Sequence, residues 1–269
     1  MSPTRFSDKV YHEITEYLTQ KFGMECKVSK KNMLKTKIDN FMHKSGMDDY
    51  NEFISFLKKN EGSKEWHDFT HKITTHKTDF FRENQHFDFL KANLEQIMEK
   101  NRRIKRNQEI RLWSAGCSSG EEPYSMVMFF LENFPGIRPK ILATDISHES
   151  LRTAIRGVYP ATIQTEVSPY ILSKYFEKKN MGYMIDPRLR NFITFRSFNL
   201  TKSFNFKKGF DIIFCRNVMI YFGEETRQKL INRFYSSLVD AGIFIIGHSE
   251  SLINLKSNFS YIKPTIYLR

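Results

Sequence analysis

From Ser7 to about Phe80 the apolar residues recur at helical spacing, in four groups. Tyr11, Ile14 and Leu18 form the first; Leu34, Ile38, Phe41 and Met42 the second; Tyr50, Phe53, Ile54 and Leu57 the third; Trp66, Phe69 and Ile73 the last. Gly46 and Gly62 punctuate the run at plausible helix ends, so a small all-helical unit is predicted. The second helix carries its lysines opposite Leu34, Ile38 and Phe41. One face packs while the other meets an anionic surface.

Between Ile73 and Arg82 the period is lost, and polar residues end in Phe80, Phe81 and Arg82. The aromatic pair reads as an anchor for a linker, with Arg82 either solvated or aimed at a carboxylate. Phe87, Leu90, Leu94, Ile97 and Met98 then mark an amphipathic helix, and a basic loop leads into a strand at 110–115. From there strands and helices alternate: helix 122–132, strand 140–144, helix 149–156, strands 192–196 and 210–215, helix 224–238 and strand 243–247. Residues 259–268 are β-branched and aromatic enough for a final strand or strand pair. Such alternation predicts an α/β fold, a mostly parallel sheet with helices on both faces. Residues 157–191 are too long for a plain connection; a helix from Pro169 to Tyr175 and a short strand at 183–185 make them a small inserted subdomain. The expected organisation is a helical domain over 1–75, a linker over 76–84, and an α/β domain over 85–269 carrying the insert at about 157–191.

The 269-residue length fits two domains, and 40% hydrophobic content with 25 phenylalanines fits soluble, aromatic-rich cores. The N-terminus has no signal-peptide pattern and no apolar run is long enough to span a membrane, which makes the cytoplasm the expected location. Cys26, Cys117 and Cys215 are far apart and show no C-x-x-C pair, so neither a disulfide framework nor a thiolate metal site is signalled. A net charge of +12 favours nucleic acid, an anionic membrane surface or an acidic protein partner. It is concentrated around Lys27–Lys44 and Lys100–Arg111, either as solvated surface or as partner-facing patches.

The candidate chemistry centres on Leu112–Ser125, where a strand passes through Gly116, Ser118, Ser119 and Gly120 into a helix. A turn this open at the carboxyl end of a first strand suits a nucleotide-like cofactor, and on this segment alone an ordinary tight βα connection is an equal reading. It has neither G-x-G-x-x-G nor a Walker lysine, and Glu121 and Glu122 would repel a phosphate at the helix start. Asp145 ends the next strand, where an acid commonly accepts hydrogen bonds from ribose hydroxyls; the competing role is a helix cap, which Ser147 fills equally well. A cofactor with ribose and an amino group but no phosphate fits, and S-adenosylmethionine is such a molecule. Asn199-Leu200 and Arg216-Asn217 fall at strand ends on the same edge. Gly247-His-Ser-Glu-Ser251 lacks the last glycine of a nucleophile elbow and no histidine follows it, while His67 and His71, without a completing carboxylate, read as surface residues.

The segments Thr78-x-Phe-Phe-Arg82, Trp113-Ser-Ala-Gly-Cys-Ser-Ser-Gly-Glu-Glu-Pro-Tyr-Ser125, Ala143-Thr-Asp145, Asn199-Leu200, Phe214-Cys-Arg-Asn-Val-Met-Ile-Tyr-Phe222 and Gly247-His-Ser-Glu-Ser251 together resemble the CheR family of chemotaxis receptor glutamate methyltransferases. The resemblance implies a class I S-adenosylmethionine-dependent methyltransferase domain, Rossmann-like, with an inserted β-subdomain and an N-terminal helical receptor-recognition domain. It also implies cofactor contacts from Thr78, Arg82, Glu122, Asp145, Asn199, Leu200, Arg216 and Asn217, and from His76, which stands where family members carry Asn. Arg82 and Tyr221 would border the transferred methyl, and Lys30, Lys31, Lys35 and Lys37 would face the receptor. The implied reaction esterifies receptor glutamates and releases S-adenosylhomocysteine, in a monomeric enzyme with no metal, no nucleic-acid partner and no membrane insertion. A nucleic-acid methyltransferase and a non-catalytic S-adenosylmethionine-binding signalling module are the competing readings. No Asn/Asp-Pro-Pro-Tyr motif supports the former.

Overall fold

The computed structural model describes residues 6–74 and 77–269, except the side chains at positions 100, 102 and 103. The four predicted N-terminal helices form as α1 (Asp8–Phe22), α2 (Lys31–Lys44), α3 (Tyr50–Lys59) and α4 (Lys64–Ile73). Local chemistry sets their ends. The Ser7, Asp49 and Ser63 side chains accept from backbone N–H groups of the first turns, and Gly23 closes α1 in the left-handed region. The apolar stripes of all four helices meet in one cluster, with Phe41, Phe53 and Phe69 stacked edge to face.

The rest of the described chain runs α5 (Gln85–Lys100), α6 (Arg102–Asn107), β1 (Glu109–Ala115), α7 (Glu121–Asn133), β2 (Arg138–Asp145), α8 (His148–Arg156), β3 (Val158–Tyr159), α9 (Pro169–Tyr175), β4 (Phe176–Lys179), β5 (Gly182–Ile185), β6 (Ile193–Ser197), β7 (Phe210–Cys215), α10 (Glu224–Ser237), β8 (Leu238–Ile246), β9 (Ser260–Lys263) and β10 (Ile266–Leu268). One sheet takes the order β6-β2-β1-β7-β8-β10-β9, with its first five strands parallel and β10 and β9 antiparallel. Strand alternation divides the core in two. Leu112, Ile212, Phe214 and Ile245 pack toward α5 and α7, while Trp113, Ile213, Cys215 and Phe244 pack toward α10. Trp113 is fully buried among Phe198, Phe204, Phe206, Phe210 and Phe234, and its indole N–H donates to Thr144 Oγ1 at 2.8 Å.

Three sequence expectations change. The basic loop before β1 contains the short helix α6, because buried Ile104 gives the segment one apolar anchor. The inserted subdomain gains two unforeseen strands, β3 and β4, which flank β5 in a three-stranded antiparallel sheet. β8 begins at Leu238 rather than 243, since Leu238 pairs with Phe210 before the register shifts; Ala241, with φ of 59°, lies just past that point.

Candidate active site

β1 has β2 on one side and β7 on the other, so the connections leaving β1 and β7 diverge above the sheet. The crevice there holds about 950 Å³, counted out to its open mouth. Its floor is Gly116, Ser118, Glu122, Thr144, Asp145, Arg216 and Asn217. Phe22 and Met24 from the helical domain, Thr78 and Arg82 from the linker, and Leu200 and Tyr221 are among the residues of the walls.

The turn after β1 is zipped to the end of β2. Gly116 and Cys117 both donate through backbone N–H to Thr144 O, at 2.8 and 2.9 Å. Ser118 N–H, from a residue with φ of 47°, donates to Asp145 Oδ2 at 2.8 Å, and Ser147 N–H donates to Asp145 Oδ1 at the same distance. Ser147 caps α8 by accepting from Ser150, so Asp145 is left to hold the turn and face the cavity. Burial pushes the Asp145 carboxyl above its ordinary pKa, opposed by the backbone N–H groups that favour its charge. Only glycine fits at 116: φ is +94° and a Cβ would lie 2.4 Å from Val218 Cγ2. Cys117 is buried and its thiol pushed far up by desolvation, so it is an inert packing residue.

Glu122 and Arg216 meet across the floor. Arg216 Nε donates to Glu122 Oε2 at 2.7 Å, and Ser114 Oγ donates to Glu122 Oε1 at 2.6 Å. Arg216 Nη1 also donates to the Arg82 carbonyl and to His86 Nδ1, which fastens the linker to the sheet. Arg82 itself donates from Nη1 to Lys77 O at 2.8 Å. Phe80 packs between Tyr159 and Phe176 of the insert, settling its role as an anchor, while Phe81 sits half-buried on Phe87.

The segment after β7 is held by Glu250, to which the sequence alone assigns no role. The Glu250 carboxylate accepts from four backbone N–H groups: Asn217 and Gly247 on Oε2 at 2.9 and 2.7 Å, Val218 and Met219 on Oε1 at 3.0 and 2.7 Å. Asn217 is thereby kept at φ of 59°, a conformation that asparagine tolerates. Gly247 must be side-chain-free, since a Cβ would come within 2.8 Å of Asn217 N. The available signal was an acid in a loop at the strand edge, two residues after a histidine, which spacing cannot distinguish from surface.

The helical domain contributes more than two wall residues. Asn199 Nδ2 donates to Lys21 O at 2.8 Å and its Oδ1 accepts from Thr201, so its side chain joins the domains and only its backbone is left to face a ligand. Met24 pairs with Phe222 as an isolated antiparallel bridge. His67 and His71, expected at the surface, lie at the packing of α4 on α8. His67 stacks on His148 with ring centroids 3.7 Å apart, and His71 Nδ1 is 2.9 Å from Ser147 Oγ. The i, i+4 spacing that resembled a metal site arises from a helix face half-buried against a neighbour. His76 lies outside the described residues.

The four lysines of the basic helix do not act alike. Lys30 is exposed, whereas Lys31 pairs with Asp8 and Lys35 with Asp39. Lys37 Nζ donates to Ile73 O at 3.1 Å at the end of α4, and burial lowers its pKa. Its ammonium is committed to the domain's own fold.

Residues 9–74 match the family model described as the CheR methyltransferase all-alpha domain, and 76–268 match the CheR methyltransferase SAM binding domain. Among curated proteins, the chain is 38% identical to a chemotaxis protein methyltransferase of Borreliella burgdorferi, over 91% of this chain and 89% of that one. It is 35% identical to one from Salmonella typhimurium (97% and 90% covered) and 32% to one from Escherichia coli (97% and 91%). Among the described residues no helix is long and apolar enough to cross a membrane. The cofactor is S-adenosylmethionine, and the cavity suits it: acids at Glu122 and Asp145 complement hydroxyl and amino donors, the floor carries no Walker lysine, and the bare Gly116 backbone leaves room for close approach. On sequence, topology and site, the chain belongs to the CheR methyltransferase family.

Proposed function

We propose that this enzyme is a protein-glutamate O-methyltransferase acting on the cytoplasmic domains of methyl-accepting chemotaxis receptors. The observation that carries the reading is the shared cavity, with Phe22 and Met24 of the helical domain over the floor residues of the α/β domain. A domain that recognises a protein partner is thus also a wall of the reaction chamber. S-adenosylmethionine, when bound, supplies an electrophilic methyl on sulfur. Asp145 keeps acceptor capacity beyond its backbone bonds from Ser118, Ser147 and Ile146 and accepts from ribose hydroxyls. Glu122, held by Ser114 and Arg216, accepts from the amino group. Leu200 gives an apolar face, and Thr78, Asn217 and the Asn199 backbone complete the polar contacts.

Arg82 and Tyr221 line the same cavity and orient the incoming carboxylate, Arg82 by charge-assisted hydrogen bonding. A glutamate with a pKa of about 4.3 is already the anionic nucleophile at neutral pH, so the chain need supply no general base. Its work is alignment and exclusion of water, and well-oriented intramolecular reactions gain about 7 to 11 kcal/mol in this way. The exposed Lys30 and the net charge of +12 steer an acidic partner toward the helical domain.

The test offers tritiated S-adenosylmethionine with receptor cytoplasmic domains and RNA side by side. Base-labile label on receptor is expected. Stable label on RNA, or cofactor binding with no transfer to either, would overturn the proposal.

A further inference from the structure

Beneath the cavity floor, buried where no ligand reaches it, His86 is 1% exposed and has both ring nitrogens engaged. Nδ1 lies 3.1 Å from Arg216 Nη1, and Nε2 lies 2.7 Å from Thr265 Oγ1. An arginine has no acceptor atom, so Nδ1 must carry the lone pair and Nε2 the proton. The Thr265 hydroxyl in turn donates to the Pro264 carbonyl, which leaves its oxygen free to accept from Nε2–H. One continuous polar chain therefore runs from the β9–β10 turn through Thr265, His86, Arg216 and Glu122 to Ser114 on β1.

We propose that His86 is a positioning residue for methyl transfer: as the Nε2–H tautomer it accepts from Arg216 and so fixes the guanidinium that holds Glu122 in the cofactor cavity. The inference rests on the reading of Glu122 and Arg216 as cofactor-holding residues and adds the group that orients them. It also says why an imidazole is needed. A neutral ring with an acceptor on one edge and a donor on the other spans two elements that no backbone ladder joins. Burial, then the Arg216 charge, holds the His86 pKa down to about 3, so the ring keeps this form throughout the working pH range. The charged or titratable groups facing it are Arg216, Glu83, His248 and Lys263. Glu83, His86 and His248 place ligand-type atoms within 4.8 Å of one another, yet this is a poor cation site: the Nδ1 lone pair is taken by Arg216, whose charge would oppose a metal ion.

Two measurements on the full chain test this, neither requiring a protein substrate, so failure of the receptor assignment would leave them unaffected. In the 15N-labelled wild type, His86 should show a protonated Nε2 and a bare Nδ1, unchanged between about pH 8 and pH 5. A protonated Nδ1, or titration within that range, would overturn the proposal without any variant having to fold. Calorimetry with S-adenosylhomocysteine then compares His86→Asn, whose Oδ1 keeps an acceptor near the Nδ1 position, with His86→Gln, whose amide keeps a donor near Nε2. Loss of a hydrogen bond from a charged donor predicts at least about a tenfold weaker Kd for H86Q, with H86N within about threefold of wild type. Equal weakening in both variants, or wild-type binding in both, would refute a positioning role.

Discussion

Replacing Glu250 by glutamine changes one oxygen to an NH2 group at nearly constant volume, in a carboxylate that accepts four backbone N–H groups. The glutamine carbonyl can serve only one pair of donors, either Asn217 and Gly247 or Val218 and Met219. The NH2 group then confronts the other pair, leaving two part-buried donors unpaired at about 1–3 kcal/mol each. Part of that loss is returned, because burial raises the Glu250 pKa and the variant no longer buries a charge. A net destabilisation of about 2–3 kcal/mol is expected, which lowers Tm by roughly 4–12 °C for a domain of this size. Either way at least one unpaired donor lies in the segment after β7 whose Asn217 and Val218 line the cavity, so affinity for S-adenosylhomocysteine should fall as well. Differential scanning calorimetry and titration calorimetry read the two effects. A Tm within about 2 °C of wild type together with unchanged affinity would refute the account of Glu250 as the clamp of this segment.

The other predictions concern the turn, the helix start and the basic helix. Asp145→Ala should weaken S-adenosylhomocysteine binding by calorimetry, a loss that combines the ligand contact with turn support, because the carboxylate also accepts from Ser118 N–H on one oxygen and Ser147 N–H on the other. Burial lifts Glu121 to a pKa of about 7 from 4.5, so the folded state binds its proton more tightly than the unfolded chain does. Stability from this group is present below about pH 4.5 and lost as pH rises toward 7, a swing of about 3 kcal/mol. Glu121→Gln should therefore raise Tm at pH 8 and have little effect at pH 4, and a gain independent of pH would contradict the assignment. Lys30→Glu should raise the receptor KM while leaving cofactor Kd unchanged, whereas Lys37→Met should act mainly on the Tm of the helical domain, because Lys37 is bonded to Ile73 O.

Much of this was legible in the sequence because local rules decide it. Helical spacing located α1 to α4, alternation located the parallel strands, and the glycine-softened turn with Asp145 at the next strand end pointed to a phosphate-free cofactor. These depend on period, turn chemistry and charge, all carried by neighbours in the chain. What only the tertiary structure decided involves residues far apart in sequence. Lys37 reads as one of several surface lysines until the end of α4 is brought against it, and the Asn199 side chain reads as open to a ligand until its amide donates to the Lys21 carbonyl and leaves the backbone to the cavity. Glu250 is an ordinary loop acid until four N–H groups, three of them over thirty residues upstream, converge on it. His86 lies on the buried face of an amphipathic helix, and its tautomer follows only from Arg216, 130 residues away. Hydrophobic period determines which face is buried; which polar group the burial must satisfy is determined by what the fold sets opposite it.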